Sequence, residues 1–144
     1  MEARNMTNDI LIGAWKLESF RIIRPNAPVI HPFGEGPAGI LVYDSCGYMN
    51  VVMMKRGMPL FKSEDPFMAT EEERAGVFAG FLSYGGKYRI SDGVVIHVPE
   101  VSSFPNWIGK ELIRDIKLSG DDLTLTTPKN SSGEYAELVW RRVK

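Results

Sequence analysis

Short runs of alternating apolar and polar residues dominate this chain, and clusters of Gly, Asp, Asn and Ser punctuate them. That alternation is the period-2 signature of half-buried β-strands. The runs fall at residues 14–24, 39–44, 48–54, 84–90, 94–101, 110–118, 123–127 and 135–143. Ser45-Cys46-Gly47, Ser91-Asp92-Gly93, Gly120-Asp121 and residues 130–133 separate neighbouring runs and read as tight turns. Residues 25–37 hold four prolines and two glycines, so they form a loop. A second loop, residues 103–109, carries Phe104, Pro105 and Trp107. One helix interrupts the strands. Thr70 is its N-cap, Glu73 completes a capping box, and Glu71, Glu72 and Glu73 favour the positive end of the helix dipole. Val77, Phe78, Phe81 and Leu82 then follow at helical spacing, which predicts a helix ending near Leu82.

Eight strands in meander order predict an all-β fold. An open antiparallel sheet of eight strands would expose its edges, and closure removes them. The expected architecture is an eight-stranded antiparallel up-and-down β-barrel, with one short helix between strands 3 and 4. Such a barrel leaves room inside for one small ligand.

Composition narrows the function. The 144 residues fit a single domain, and 44% apolar with 24% charged residues suffices for a core of its own. The net charge of −1 gives no field to recruit nucleic acid or an anionic membrane. No apolar run approaches the roughly 20 residues of a membrane span. The polar residues 1–9 predict a flexible N-terminus with no secretory signal, and hence a cytoplasmic protein. The lone Cys46 excludes an internal disulfide and a cysteine-based metal cage. With only His31 and His97, a His-rich metal site is not expected and no metal ligand is assigned, while a mixed His/carboxylate site stays open; no phosphate-binding loop or nucleophile elbow appears, and no cofactor is expected.

Gly13-Ala14-Trp15 in the first strand matches the GxW signature of the lipocalin and calycin group. Further motifs follow in order: Pro32-Phe33-Gly34-Glu35, Gly39-Ile40-Leu41-Val42-Tyr43 with Gly47-Tyr48-Met49, and Tyr84-Gly85-Gly86-Lys87-Tyr88. His97, Gly109, Arg114, Leu123-Thr124-Leu125 and Trp140 complete the series. From Gly13 to Arg142 the chain resembles the bacterial and fungal lipocalin-like domain family. The resemblance implies a calycin-type barrel whose floor pairs Trp15 with an Arg of the last strand. Leu138, Trp140 and Arg142 share one face of that strand, which selects Arg142 for cation–π stacking and bonds to nearby carbonyls. The helix would then cap the opposite mouth, with Trp107 on the same rim.

Alternation also sorts the interior. In strand six Arg114 shares a face with Leu112, Ile116 and Leu118, opposite Glu111, Asp115 and Lys117. An inward guanidinium needs an offsetting partner: a carboxylate, tyrosine hydroxyls, carbonyls, water or an anionic ligand. Tyr84 and Tyr88 share a face of strand four and are either barrel filling or hydrogen-bonding groups. Met49, Val51 and Met53 share a face of strand three, as core or as an adaptable apolar wall. Both faces of the strand around His97 are apolar, so its direction stays open. It is a buried, satisfied histidine or the chain's best acid–base candidate, and the family motif adds weight to it.

The expected ligand-binding set is therefore Tyr43, Met49, Met53, Phe78, Tyr84, Tyr88, His97, Trp107 and Arg114, with His97 also the catalytic candidate. The leading reading is a protein that binds a small, mostly apolar metabolite carrying a polar or anionic group. The alternative is a cofactor-independent isomerase or cyclase acting on an apolar, polyketide-like metabolite. A third is a structural or interaction module that forms a homodimer through an exposed sheet face or the Pro-rich loop.

Overall fold

The alternation at residues 13–23 and in seven later runs produces eight strands, each hydrogen-bonded to the next. In the computed structural model, which describes residues 10–144, these are β1 (Gly13–Ile23), β2 (Ala38–Tyr43), β3 (Tyr48–Met54), β4 (Phe81–Ser91), β5 (Val94–Ser102), β6 (Leu112–Ser119), β7 (Asp122–Thr126) and β8 (Tyr135–Arg142). All neighbours are antiparallel, and β8 returns to pair with β1, so the sheet closes into a barrel. The flexible segment expected at residues 1–9 lies outside the described residues. Among the described residues no helix is long and apolar enough to cross a membrane.

Inward positions of every strand supply the core. Trp15, Leu41, Tyr43, Val95, Leu123 and Trp140 are at most 1% exposed. Two irregularities re-aim side chains. In β1 the register with β8 shifts between Leu17 and Ser19. This bulge puts Phe20 inside, although it is three residues from Leu17. In β4 and β5, Gly85 faces Val101 while Gly86 faces Pro99. A Cβ at Gly86 would sit 2.1 Å from the Val98 carbonyl oxygen, so only glycine admits this close approach.

The helix departs from expectation. α1 spans Glu71–Ala79, with the Thr70–Glu73 capping box formed, but it stops at Gly80. Phe81 and Leu82 belong to β4, where Leu82 pairs with Met53. Phe81-Leu82-Ser83-Tyr84 also fits strand alternation, and pairing to β3 wins. Left with two large apolar residues, α1 buries none of its side chains, and Phe78 is 58% exposed. α1 borders a groove with residues 55–62 and supplies no side chain to the lining of the barrel cavity.

The loop at residues 25–37 does more than connect strands. Ile30 and Ile22 exchange two backbone hydrogen bonds, so the loop folds back along β1. Phe33 is buried there and meets Phe20 edge-on, with ring centroids 5.3 Å apart.

Candidate functional site

At the floor, Trp15 and Arg142 face each other across β1 and β8. The Arg142 guanidinium carbon lies 4.3 Å from the Trp15 ring centroid. Arg142 also donates to the Ile12 carbonyl at 3.1 Å and the Ile10 carbonyl at 2.7 Å. The Trp15 indole N–H donates to the Leu11 carbonyl at 3.0 Å. Every polar group of this pair has a partner, and Trp15 is fully buried.

Higher in the barrel is an internal cavity of about 250 Å³. Its walls are mostly apolar: Phe20 of β1, Leu41 and Met53 of β2 and β3, Leu82 of β4, and Leu125 and Leu138 of β7 and β8. Six polar or amphipathic side chains reach it: Tyr84, His97, Trp107, Arg114, Thr127 and Trp140. A larger open groove, about 530 Å³, runs outside the barrel between α1 and residues 55–62. None of the expected site residues lines that groove.

His97 points inward with Val95 and Pro99 and is 2% exposed. Its Nε2 lies 2.6 Å from the Tyr43 hydroxyl and its Nδ1 2.7 Å from the Tyr84 hydroxyl. Burial, with the nearby Arg114 charge, lowers its pKa to about 3. The imidazole is therefore neutral at physiological pH, with one N–H and one lone pair. One tyrosine donates to it and the other accepts. Burial raises the pKa of both tyrosines, and at Tyr84 the Arg114 guanidinium opposes that rise.

Arg114 lies inside with Leu112, Ile116 and Leu118, all half-buried. It donates to the Ile113 carbonyl at 2.9 Å. No ion pair among the described residues involves it. Among the described residues no Asp or Glu lines the cavity. The Trp140 indole N–H is the one buried side-chain polar atom of the described residues with no hydrogen-bond partner. Leaving such a donor unsatisfied costs about 1–3 kcal/mol.

Of the expected binding residues, Met53, Tyr84, His97, Trp107 and Arg114 therefore share one cavity. Trp107 stands edge-on to Tyr84, at 5.7 Å between centroids. Tyr43 lies behind His97. Tyr88 packs on Tyr43 at 4.7 Å and donates to the Asp44 carbonyl, away from the cavity. Met49 is buried in the core but does not line the cavity, and Phe78 faces outward. Cys46 is exposed in its turn. Trp140, Leu138 and Phe20 were not among the expected site residues. The inward face of the last strand pointed to the first two, whereas the bulge that admits Phe20 left no mark in the sequence.

A closed meander barrel with an internal cavity has the architecture of the lipocalin-like proteins. The model of the lipocalin-like domain family matches residues 12–143, and this chain belongs to that family. It is 33% identical over 107 residues to the 4'-hydroxy-3'-methoxypropiophenone carrier protein ppsC of Aspergillus oryzae, a match covering 66% of this chain and 96% of that protein. Crystal structures of two single-site mutants of the fluorescent protein UnaG are also similar. The first has a TM-score of 0.43 at 14% identity, covering 94% of this chain and 97% of the other; the second has 0.42 at 13%, covering 94% and 98%.

Proposed function

We propose that this chain is a carrier that holds a small, mostly apolar metabolite, bearing a polar or anionic group, inside its barrel. The observation that carries the reading is the internal cavity, apolar on most sides, with Arg114, Tyr84 and Trp140 at its wall. About 250 Å³ is below the roughly 300–1,000 Å³ of pockets for drug-sized ligands, so the occupant has on the order of a dozen non-hydrogen atoms. A hydroxylated, methoxylated aryl ketone, as in the relative's name, is of that size and character. We keep the cytoplasm as its compartment, which the single cysteine supports.

The isomerase or cyclase reading has less support. Both nitrogens of His97 are engaged by tyrosines, and burial keeps the ring a weak base. Native mass spectrometry of protein purified from its own host tests the carrier. The expected result is one small molecule per chain, absent from an Ala136→Phe variant whose ring fills the cavity. Protein that carries nothing, and whose tryptophan emission no small aryl ketone or acid alters, would refute it.

A further inference from the structure

The hydrogen-bond chain through His97 has a direction. The Tyr43 hydroxyl is enclosed, and its one hydrogen-bond partner among the described residues is His97 Nε2. If Nε2 carried the proton, the Tyr43 O–H would be buried with nothing to donate to. The satisfied arrangement has Tyr43 donating to Nε2, so Nδ1 carries the proton and donates to Tyr84 Oη. The Tyr84 O–H is then left for the cavity, which Tyr84 lines. The same cavity is lined by Trp140, whose N–H is unpartnered, and by Arg114, whose guanidinium has no carboxylate partner among the described residues. Thr127, the other hydroxyl at the wall among the described residues, accepts from the Ala136 N–H at 2.8 Å.

We infer that the cavity is a donor-only site selecting an anionic oxygen, a carboxylate or an acidic phenol or enol, on a compact apolar body. Trp140 N–H, Tyr84 O–H and Arg114 supply the donors, and with no acid at the wall among the described residues the site disfavours amines and other cations. This rests on the carrier reading and names the ligand class for it. Tyr84 is the stronger of the two neutral donors, because the oxygen that donates also accepts from Nδ1–H and is hydrogen-bonded by the Arg114 guanidinium.

The test uses one skeleton with three head groups: 3-phenylpropanoate, its methyl ester and 3-phenylpropylamine. Calorimetric titration gives affinities, and the 15N-labelled indole N–H signals report the donor directly. Trp140→Phe identifies the Trp140 signal among the three. The expected order is carboxylate, then ester, with no binding of the amine, and the carboxylate moves the Trp140 N–H signal downfield. Arg114→Met lowers carboxylate affinity about thirtyfold, as for a lost charge-assisted bond, and changes ester affinity less than about threefold. Arg114→Gln gives the same split should the Met variant fold poorly. An amine that binds as tightly as the carboxylate, or a carboxylate indifferent to both Arg114 variants and to Trp140→Phe, overturns the donor-only site and leaves the carrier intact. If no member of the series binds or moves any cavity resonance at millimolar concentration, the carrier reading fails together with this one.

Discussion

His97 should make the fold acid-sensitive in a pH range where few other groups titrate. The ring is 2% exposed, and its pKa falls from an ordinary 6.5 to about 3. A group whose folded pKa lies below its unfolded value contributes stability that is fully present above the unfolded pKa. That stability drains away as pH falls from the unfolded value toward the folded one. At pH 8 neither state protonates this imidazole. At pH 5 the unfolded chain protonates it almost completely while the folded chain does not. One pKa unit corresponds to about 1.4 kcal/mol, so the folded state loses about 2 kcal/mol between pH 8 and pH 5 through His97 alone. Tyr43 and Tyr84 have raised pKa values and stay protonated across the window. The lowered carboxylates, Asp44, Glu73 and Asp121, act below their ordinary values near 4.

Urea denaturation at half-unit intervals from pH 8 to pH 5 measures this, with His97→Gln as the reference. Glutamine keeps one donor and one acceptor for the tyrosines but cannot be charged. The expected result is a wild-type curve that drops by about 2 kcal/mol relative to the variant's, most of it below pH 6.5. Parallel curves would sink the reasoning, and so would a His97 carbon-bound proton signal that titrates with a midpoint between pH 6 and 7 in the folded protein.

Other perturbations give sharp outcomes. Arg142→Met removes the cation over Trp15 and two bonds to backbone carbonyls, so thermal denaturation should show a loss of about 2–3 kcal/mol and a changed Trp15 near-ultraviolet signal. Gly86→Ala drives a Cβ into the Val98 carbonyl and should cost about 3 kcal/mol or abolish folding. Gly36→Ala, in open space at φ +73°, should cost only about 1 kcal/mol in the same assay. Phe78→Ser should change stability by less than about 0.5 kcal/mol and leave cavity binding untouched; a loss comparable to a core substitution would restore α1 as a lid.

The barrel was legible because its strands repeat one signal eight times, and closure follows from the edges that eight strands would otherwise expose. Arg114 was legible for the same reason: alternation put it with Leu112, Ile116 and Leu118 whatever the rest of the chain did. The helix end was not. Phe81 and Leu82 satisfy the spacing of the helix before them and the alternation of the strand after them, and only pairing with Met54 and Met53 decides between the two. His97 was undecidable because apolar residues flank it on both faces. Its two tyrosine partners stand 54 and 13 residues away, and no local pattern links them. Phe20 enters through a bulge, which shifts register without any residue that announces it.

The two buried indoles make the clearest internal comparison. Trp15 faces Arg142 and Trp140 faces Leu17, so the two rings sit on neighbouring inward rungs of the same strand pair. They are equally buried, yet Trp15 donates to Leu11 and Trp140 donates to nothing. Replacing each by Phe removes similar ring volume, so the cavity costs nearly cancel in the comparison. What differs is the N–H. Trp15→Phe breaks a buried bond and strands the Leu11 carbonyl, whereas Trp140→Phe removes a donor that was already unsatisfied. The Trp15 variant should therefore be less stable than the Trp140 variant by about 1–3 kcal/mol in the ligand-free protein. Ligand should reverse the comparison for function, because only Trp140 lines the cavity. Equal losses of stability in the two variants would mean that the Trp140 N–H is satisfied within the protein, and the case for it as a ligand donor would fall.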